Sequence, residues 1–290
     1  MIKIKAVQEN PKVGDIKGNT ALIEKYLVSA DKEKIDLLIF SEMFLSGYPP
    51  EDLVMRDDFL DEITKSIERI TSLSKETSLV FGAPIKKDDV LYNAAICISE
   101  GNLVETYFKQ ILPNYKEFDE KRYFEKGKKN KIIKIKNIPI GLSICEDIWS
   151  EAFVNNLVDE GAEIILNLSA SPYTTSKKET RKKMLSNYYK KYQRPIVYVN
   201  QTGGQDELVF DGSSLILGSS EKKLVELKSF EIDSLNFEYR DSKINFLNSC
   251  LTNDQNYLKD VYDALVLGTK DYVEKNNFRG VLIGSSGGID

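Results

Sequence analysis

Histidine is absent from this chain of 290 residues, cysteine occurs three times and tryptophan once, and no apolar run approaches the length of a membrane span. Each absence removes a class of function. Without histidine there is no serine–histidine or cysteine–histidine pair and no imidazole metal ligand, so a nucleophile must hand its proton to a carboxylate or a lysine. Cys97, Cys145 and Cys250 are scattered without metal-ligand spacing. That pattern argues against a disulfide framework and a zinc site, and fits a reducing compartment. Positive charge is not in excess: 40 Lys and Arg against 45 Asp and Glu leave a net charge of −5, so no global field gathers nucleic acid or anionic membrane. The basic runs at 126–131 and 177–183 read as solvated faces. Apolar stretches such as Leu37 to Phe40 fall far short of the roughly 20 residues of a membrane span. Met1 to Val7 alternates like a strand and offers no secretory leader. The expectation is a soluble cytoplasmic protein with no bound metal, no nucleic-acid partner and no membrane association.

What is present allows a packed core, with 41% hydrophobic and 10% aromatic residues. Apolar spacing predicts a strand at 1–7, a helix over 18–34, a strand at 36–40, a helix over 52–73 and a strand at 79–82. A hairpin of 91–98 and 103–108 follows, then a strand at 137–145, a helix over 148–160 and a strand at 163–168. A helix over 180–192, a strand at 195–200 and short strands at 208–210, 214–217 and 224–227 come next. Residues 233–253 lose periodicity and read as a linker or surface excursion. A helix over 254–276, a strand from Gly280 to Ile283 and the turn Gly284 to Asp290 complete the sequence. Strands alternating with helices and joined to hairpins indicate an α/β architecture with mixed sheets covered by helices.

Three polar residues stand directly after strand-like runs: Glu42, Lys109 and Cys145. Ends of strands are where open α/β sheets carry reactive groups. Each residue also has a plain structural role open to it. Glu42 could cap a turn, Lys109 could be a surface charge, and Cys145 could be a small buried hydrophobe. Cys97, in the middle of a strand, and Cys250, in the weakly patterned stretch, read as structural.

The surrounding segments carry more. Ser41-Glu-Met-Phe-Leu-Ser-Gly-Tyr-Pro-Pro-Glu-Asp-Leu53, Tyr107-Phe-Lys-Gln-Ile-Leu-Pro-Asn-Tyr115 with its continuation to Phe124, and Cys145-Glu-Asp-Ile-Trp149 together resemble the nitrilase superfamily of Glu-Lys-Cys amidases. Within it they look most like the glutaminase domain of the glutamine-dependent NAD synthetase family. Asn167 to Tyr173, Asn200 to Gly212 and the tail from Tyr262 to Asp290 resemble the same family, so the likeness runs nearly end to end. Ser41, Met43 and Ser213 depart from its usual residues without removing a reactive group.

The resemblance implies a nitrilase-like four-layer α-β-β-α sandwich over 1–250, followed at 251–290 by a linker helix, a strand and the truncated start of a doubly wound α/β domain. It implies Glu42 as general base, Cys145 as nucleophile and Lys109, with the amide of Glu146, as stabiliser of the tetrahedral intermediate. Tyr115, Ser171 and Lys177 match positions that hold L-glutamine, and Glu117 is placed to support the lysine. Gly284, Ser285, Ser286, Gly287, Gly288, Ile289 and Asp290 match the start of an ATP pyrophosphate loop, which glycines suit by letting backbone N–H groups approach phosphate. Without the rest of its sheet that loop is not expected to form a working site. The glutaminase step needs no cofactor. The complete synthetase uses ATP and magnesium, receives the released ammonia and is expected to form a homo-oligomer. A stand-alone amidase for another small amide, or a catalytically silent scaffold, remains an alternative.

Overall fold

Period-two alternation in the first half of the chain builds a sheet that is buried on both faces. The computed structural model describes residues 1–218, 224–246 and 257–288. In it the sheet contains β1 (Ile2–Gln8), β2 (Leu37–Ile39), β3 (Ser78–Lys87), β4 (Val90–Ser99) and β5 (Asn102–Phe108). Leu37, Ile39, Val80, Ala95 and Cys97 face one core; Leu38, Leu79, Phe81, Ile96 and Ile98 face another, because a pleated strand sends successive side chains to opposite sides. Over the second core lie α1 (Ile16–Glu33) and α2 (Asp57–Leu73), which contribute Ile23, Leu27, Ile63 and Ile70. The Asp15 side chain caps α1 by accepting from the amide of Gly18 at 2.9 Å.

After the one-turn α3 (Glu120–Tyr123), the chain builds β6 (Ile132–Ile135), β7 (Ile138–Ile144), α4 (Glu151–Asp159), β8 (Ile164–Ser169), α5 (Lys177–Tyr192) and β9 (Ile196–Asn200). The hairpin of β10 (Thr202–Gln205) and β11 (Leu208–Asp211) precedes β12 (Leu215–Leu217) and β13 (Leu224–Glu226). The second sheet runs β13-β12-β9-β8-β7-β6, with β7, β8 and β9 parallel. Its residues share the first core with Val154 and Leu157 of α4 and Leu185 and Tyr188 of α5. The layers are helices, sheet, sheet, helices, a four-layer α-β-β-α sandwich.

Several boundaries differ from the sequence expectation. Residues 233–246 are no linker: β14 (Asp233–Arg240) and β15 (Lys243–Phe246) extend the first sheet to β15-β14-β1-β2-β3-β4-β5. Leu235, Phe237 and Tyr239 alternate into the core while their polar neighbours point outward, a period masked by the short polar flanks. The helix over 52–73 is two pieces, because Arg56 is extended between the 3-10 turn Glu51–Met55 and α2, which restarts on Asp57 and Asp58. The helix over 148–160 begins only at Glu151, since Cys145–Trp149 forms a 3-10 turn. Strands β6 and β10 were not anticipated.

The last helix, α6 (Tyr257–Lys275), lies on the β10–β11 hairpin. The Asp271 carboxylate accepts from the amide of Gly204 at 2.7 Å and from Asn10 at 2.6 Å, while Lys275 donates to the Gly204 carbonyl at 2.9 Å. Gly280 to Ile283 forms no strand; Val281, Leu282 and Ile283 are exposed. A strand needs a neighbour to satisfy its backbone, and none of the described strands pairs with this segment. Residues 251–256, with part of the expected helix, lie outside the described residues, as do Cys250, Ile289 and Asp290.

Candidate active site

Three segments leaving strand ends converge. Beyond β2 the chain passes through Phe40 and Ser41 to Glu42, β5 runs into Lys109, and β7 runs into Cys145. Glu42 is held against β3 by backbone bonds from Gly82 to Ser41 and from Leu45 to Gly82, each 3.1 Å. Gly82 makes this approach possible: a Cβ there would lie 2.1 Å from the amide nitrogen of Met43. Behind the lysine, the amide of Gly127 donates to the Lys109 carbonyl at 2.7 Å.

The Lys109 ammonium donates to Glu42 Oε1 and to Glu120 Oε1, both at 2.7 Å, in a site where the Lys109 and Glu42 side chains are 0% exposed. Asn93 donates to Glu42 Oε1 at 2.7 Å, and the amide of Ala170 to Glu42 Oε2 at 2.9 Å. Tyr48 donates to Glu120 at 3.0 Å. Every charge in the cluster therefore has an opposite charge and further hydrogen bonds, the condition for tolerating buried ions. Burial alone would strip the lysine of its proton, but the Glu120 and Glu42 carboxylates outweigh it and hold its pKa well above the usual value. The Glu120 carboxyl is pushed up to about 7 by burial, against the pull of Lys109.

Cys145 has φ of 41°, left-handed backbone that a side-chain-bearing residue adopts at a cost of about 1–3 kcal/mol. The turn presents the thiol at the strand end, where it is 5% exposed. Burial and then the Glu42 carboxylate raise its pKa, while Lys109 and Lys177 act in the opposite direction. Its surroundings thus make the sulfur harder to deprotonate than a free thiol, and a thiol so placed acts as a nucleophile only with a proton acceptor at hand.

Of the residues expected to bind substrate, Tyr115 is 47% exposed and donates to both Glu146 carboxylate oxygens at 3.1 Å. Lys177, at the start of α5, sits over the Phe118 ring at 5.4 Å. Ser171 is buried, its amide donating to Asn200 at 2.8 Å, while its hydroxyl has no hydrogen-bond partner among the described residues. Glu117 is exposed and makes no ion pair with Lys109; Glu120 does so instead. One turn of helix at α3 turns that carboxylate inward between buried Phe118 and Phe124, a flanking pattern visible in the sequence. Asn93 was also missed, since it reaches Glu42 from a distant segment; Tyr48 and Asp147 stand inside the segments 41–53 and 145–149, but their partners Glu120 and Tyr107 lie far away in the sequence. Gly284 to Gly288 is exposed with open space around Gly284 and Gly287, so this stretch does not by itself build a nucleotide site.

A buried glutamate, lysine and strand-end cysteine thus stand together on a four-layer sandwich. Residues 3–234 match the carbon-nitrogen hydrolase family, and the chain belongs to it. More particularly, it is 35% identical over 325 residues to a glutamine-dependent NAD(+) synthetase of Thermotoga maritima, an alignment covering 100% of this chain and 56% of that protein. The solved glutamine-dependent NAD+ synthetase of Acinetobacter baumannii, in complex with ADP, matches with a TM-score of 0.93 and 35% identity over 99% of this chain and 55% of that one. A mutant amidase from Nesterenkonia sp. AN1 shares the fold, with a TM-score of 0.73 at 21% identity. The chain spans about half the length of the curated relatives it matches.

Proposed function

We propose that the chain hydrolyses the side-chain amide of L-glutamine through a thioester on Cys145. The sulfur attacks the amide carbon as its proton passes to Glu42, and Lys109 with the amide of Glu146 stabilises the oxygen that becomes negative. The C–N bond breaks, the leaving nitrogen takes the proton from Glu42, and ammonia departs. Water, deprotonated by Glu42, then attacks the thioester; glutamate leaves and the thiol recovers its proton. The buried Glu42–Lys109 pair at 2.7 Å, with Cys145 on left-handed backbone at the neighbouring strand end, carries this reading. With no histidine in the chain, Glu42 is the carboxylate with the largest influence on that thiol.

Tyr115, Ser171 and Lys177 serve the amino-acid end of the substrate. Lys177 faces the α-carboxylate, Glu146 with Tyr115 faces the α-ammonium, and the unpartnered buried hydroxyl of Ser171 supplies a polar contact that the protein itself leaves unmatched. In a protein of its relatives' length, the ammonia feeds an ATP- and magnesium-dependent amidation of nicotinic acid adenine dinucleotide to NAD. That step belongs to a synthetase domain beginning near residue 251, after a glutaminase unit at 1–250, and the subunits assemble as a homo-oligomer. Identity of 35% to NAD synthetases along the whole chain supports this placement.

The test is ammonia release from glutamine set against a panel of small amides and nitriles. Glutamine should be preferred. Preference for another amide would make the protein an amidase of different specificity, and failure of every substrate would leave a silent domain.

A further inference from the structure

Asp147 is fully buried and lies outside the proposed chemistry. Its Oδ1 accepts from the amides of Gln110 at 3.1 Å and Ile111 at 2.8 Å; its Oδ2 accepts from the Tyr107 hydroxyl at 2.7 Å and the amide of Ile144 at 2.9 Å. One carboxylate thereby ties both sides of Lys109 to the residue before Cys145. The two segments come from different sheets, β5 at the edge of one and β7 in the other, so no ladder of backbone bonds joins them.

We propose that Asp147 is a positioning residue that fixes the Cys145 sulfur and the Lys109 ammonium in one frame. The inference rests on the roles given above to those two residues. Three backbone N–H groups and a phenol converge on Asp147 and fill its acceptor sites, and three of the four come from the segment 107–111 that carries Lys109. Donors on both oxygens make the group an acceptor at each of them, the arrangement of an ionised carboxylate, and these bonds oppose the burial that pushes its pKa up. Asparagine cannot replace it: its carbonyl can serve Gln110 and Ile111, but its NH2 then confronts the Ile144 N–H donor to donor.

The experiment compares Asp147→Asn and Tyr107→Phe with the parent 290-residue chain, measuring kcat and KM for glutamine and the rate at which an electrophilic glutamine analogue alkylates Cys145 per folded molecule. Asp147→Asn should lower kcat and the alkylation rate by about 100-fold, the scale of a misplacement near 1 Å, with KM within about threefold of the parent. Tyr107→Phe, which leaves the backbone bonds in place, should lower kcat by about 5-fold with KM unchanged. A merely structural role would lower Tm and the folded fraction while leaving both rates per folded molecule intact, and that result overturns the inference. Should Asp147→Asn fail to fold, parental kcat in Tyr107→Phe overturns it instead. If Cys145→Ala still hydrolyses glutamine, the underlying reading of the nucleophile falls; if Cys145→Ala is dead and Asp147→Asn is parental, only the positioning role falls.

Discussion

Cys97 and Cys145 are both buried, and both thiols are held above their usual pKa mainly by burial, yet they sit in different chemistry. Cys97 lies mid-strand in β4, packed in the apolar core, and the charge acting on it is the Glu105 carboxylate. Cys145 lies at the end of β7 on left-handed backbone, where Glu42 and Glu120 raise its pKa while Lys109 and Lys177 lower it. A buried sulfur becomes a nucleophile through its surroundings: a base able to take the proton and a cation able to receive the developing oxyanion. At the first thiol Glu105 acts alone, with no lysine among the described residues lowering its pKa as Lys109 and Lys177 do at Cys145.

The sharpest way to break the comparison is to remove the Cys145 sulfur. Cys145→Ala should reduce glutamine hydrolysis by at least about a thousandfold, as loss of a nucleophile does, and a residual rate near the parent's would disprove its role. Next come its neighbours. Glu42→Gln should cost about 10²–10⁴-fold in kcat, and Lys109→Met about 10²–10³-fold. The lysine variant should also lose about 3–5 kcal/mol of stability, because Glu42 and Glu120 are left buried without their cation. Denaturant titration checks that loss; an unchanged midpoint would mean the carboxylates are not charged in the fold.

A smaller effect follows from Glu120. Its carboxyl is raised from 4.5 to about 7 on folding, so the fold binds that proton more tightly than the unfolded chain does. The associated stability is complete below the unfolded value and is lost as pH rises through the folded one. Glu120→Gln stays neutral, so its Tm relative to the parent should rise as pH goes from about 5 to about 8; a difference that shrinks over that window contradicts the assignment. The least effect on activity belongs to Cys97→Ser. Glutamine turnover should match the parent, while stability falls by about 1–3 kcal/mol for a hydroxyl placed among apolar side chains. Lost turnover in the folded variant would erase the distinction between the two thiols.

Glu42, Lys109 and Cys145 stood out through the motifs around them rather than through placement after strand-like runs, which left plain structural roles open, and the fold brings their three segments together. Glu120 was harder: it lies within the same segment as Glu117, and one turn of helix decides which carboxylate turns inward. Asn93 reaches Glu42 from a segment that meets it only in the folded chain, and the partners of Tyr48 and Asp147, Glu120 and Tyr107, do the same; spacing carries no trace of that. β14 was hidden in another way. Leu235, Phe237 and Tyr239 do alternate, but polar flanks made the stretch look like a surface excursion. Gly280 to Ile283 misled in the opposite direction, for an apolar run is a strand only where another strand meets it.

The central claim is that environment, not burial, makes Cys145 the reactive sulfur. The most direct measurement exposes the native chain to an electrophilic glutamine analogue and locates the adduct by peptide mass spectrometry. The account predicts one adduct, on Cys145, formed faster than with a non-glutamine alkylating agent of equal intrinsic reactivity and suppressed by glutamine. Labelling of Cys97 or Cys250 at a comparable rate, or no adduct on Cys145, would contradict it.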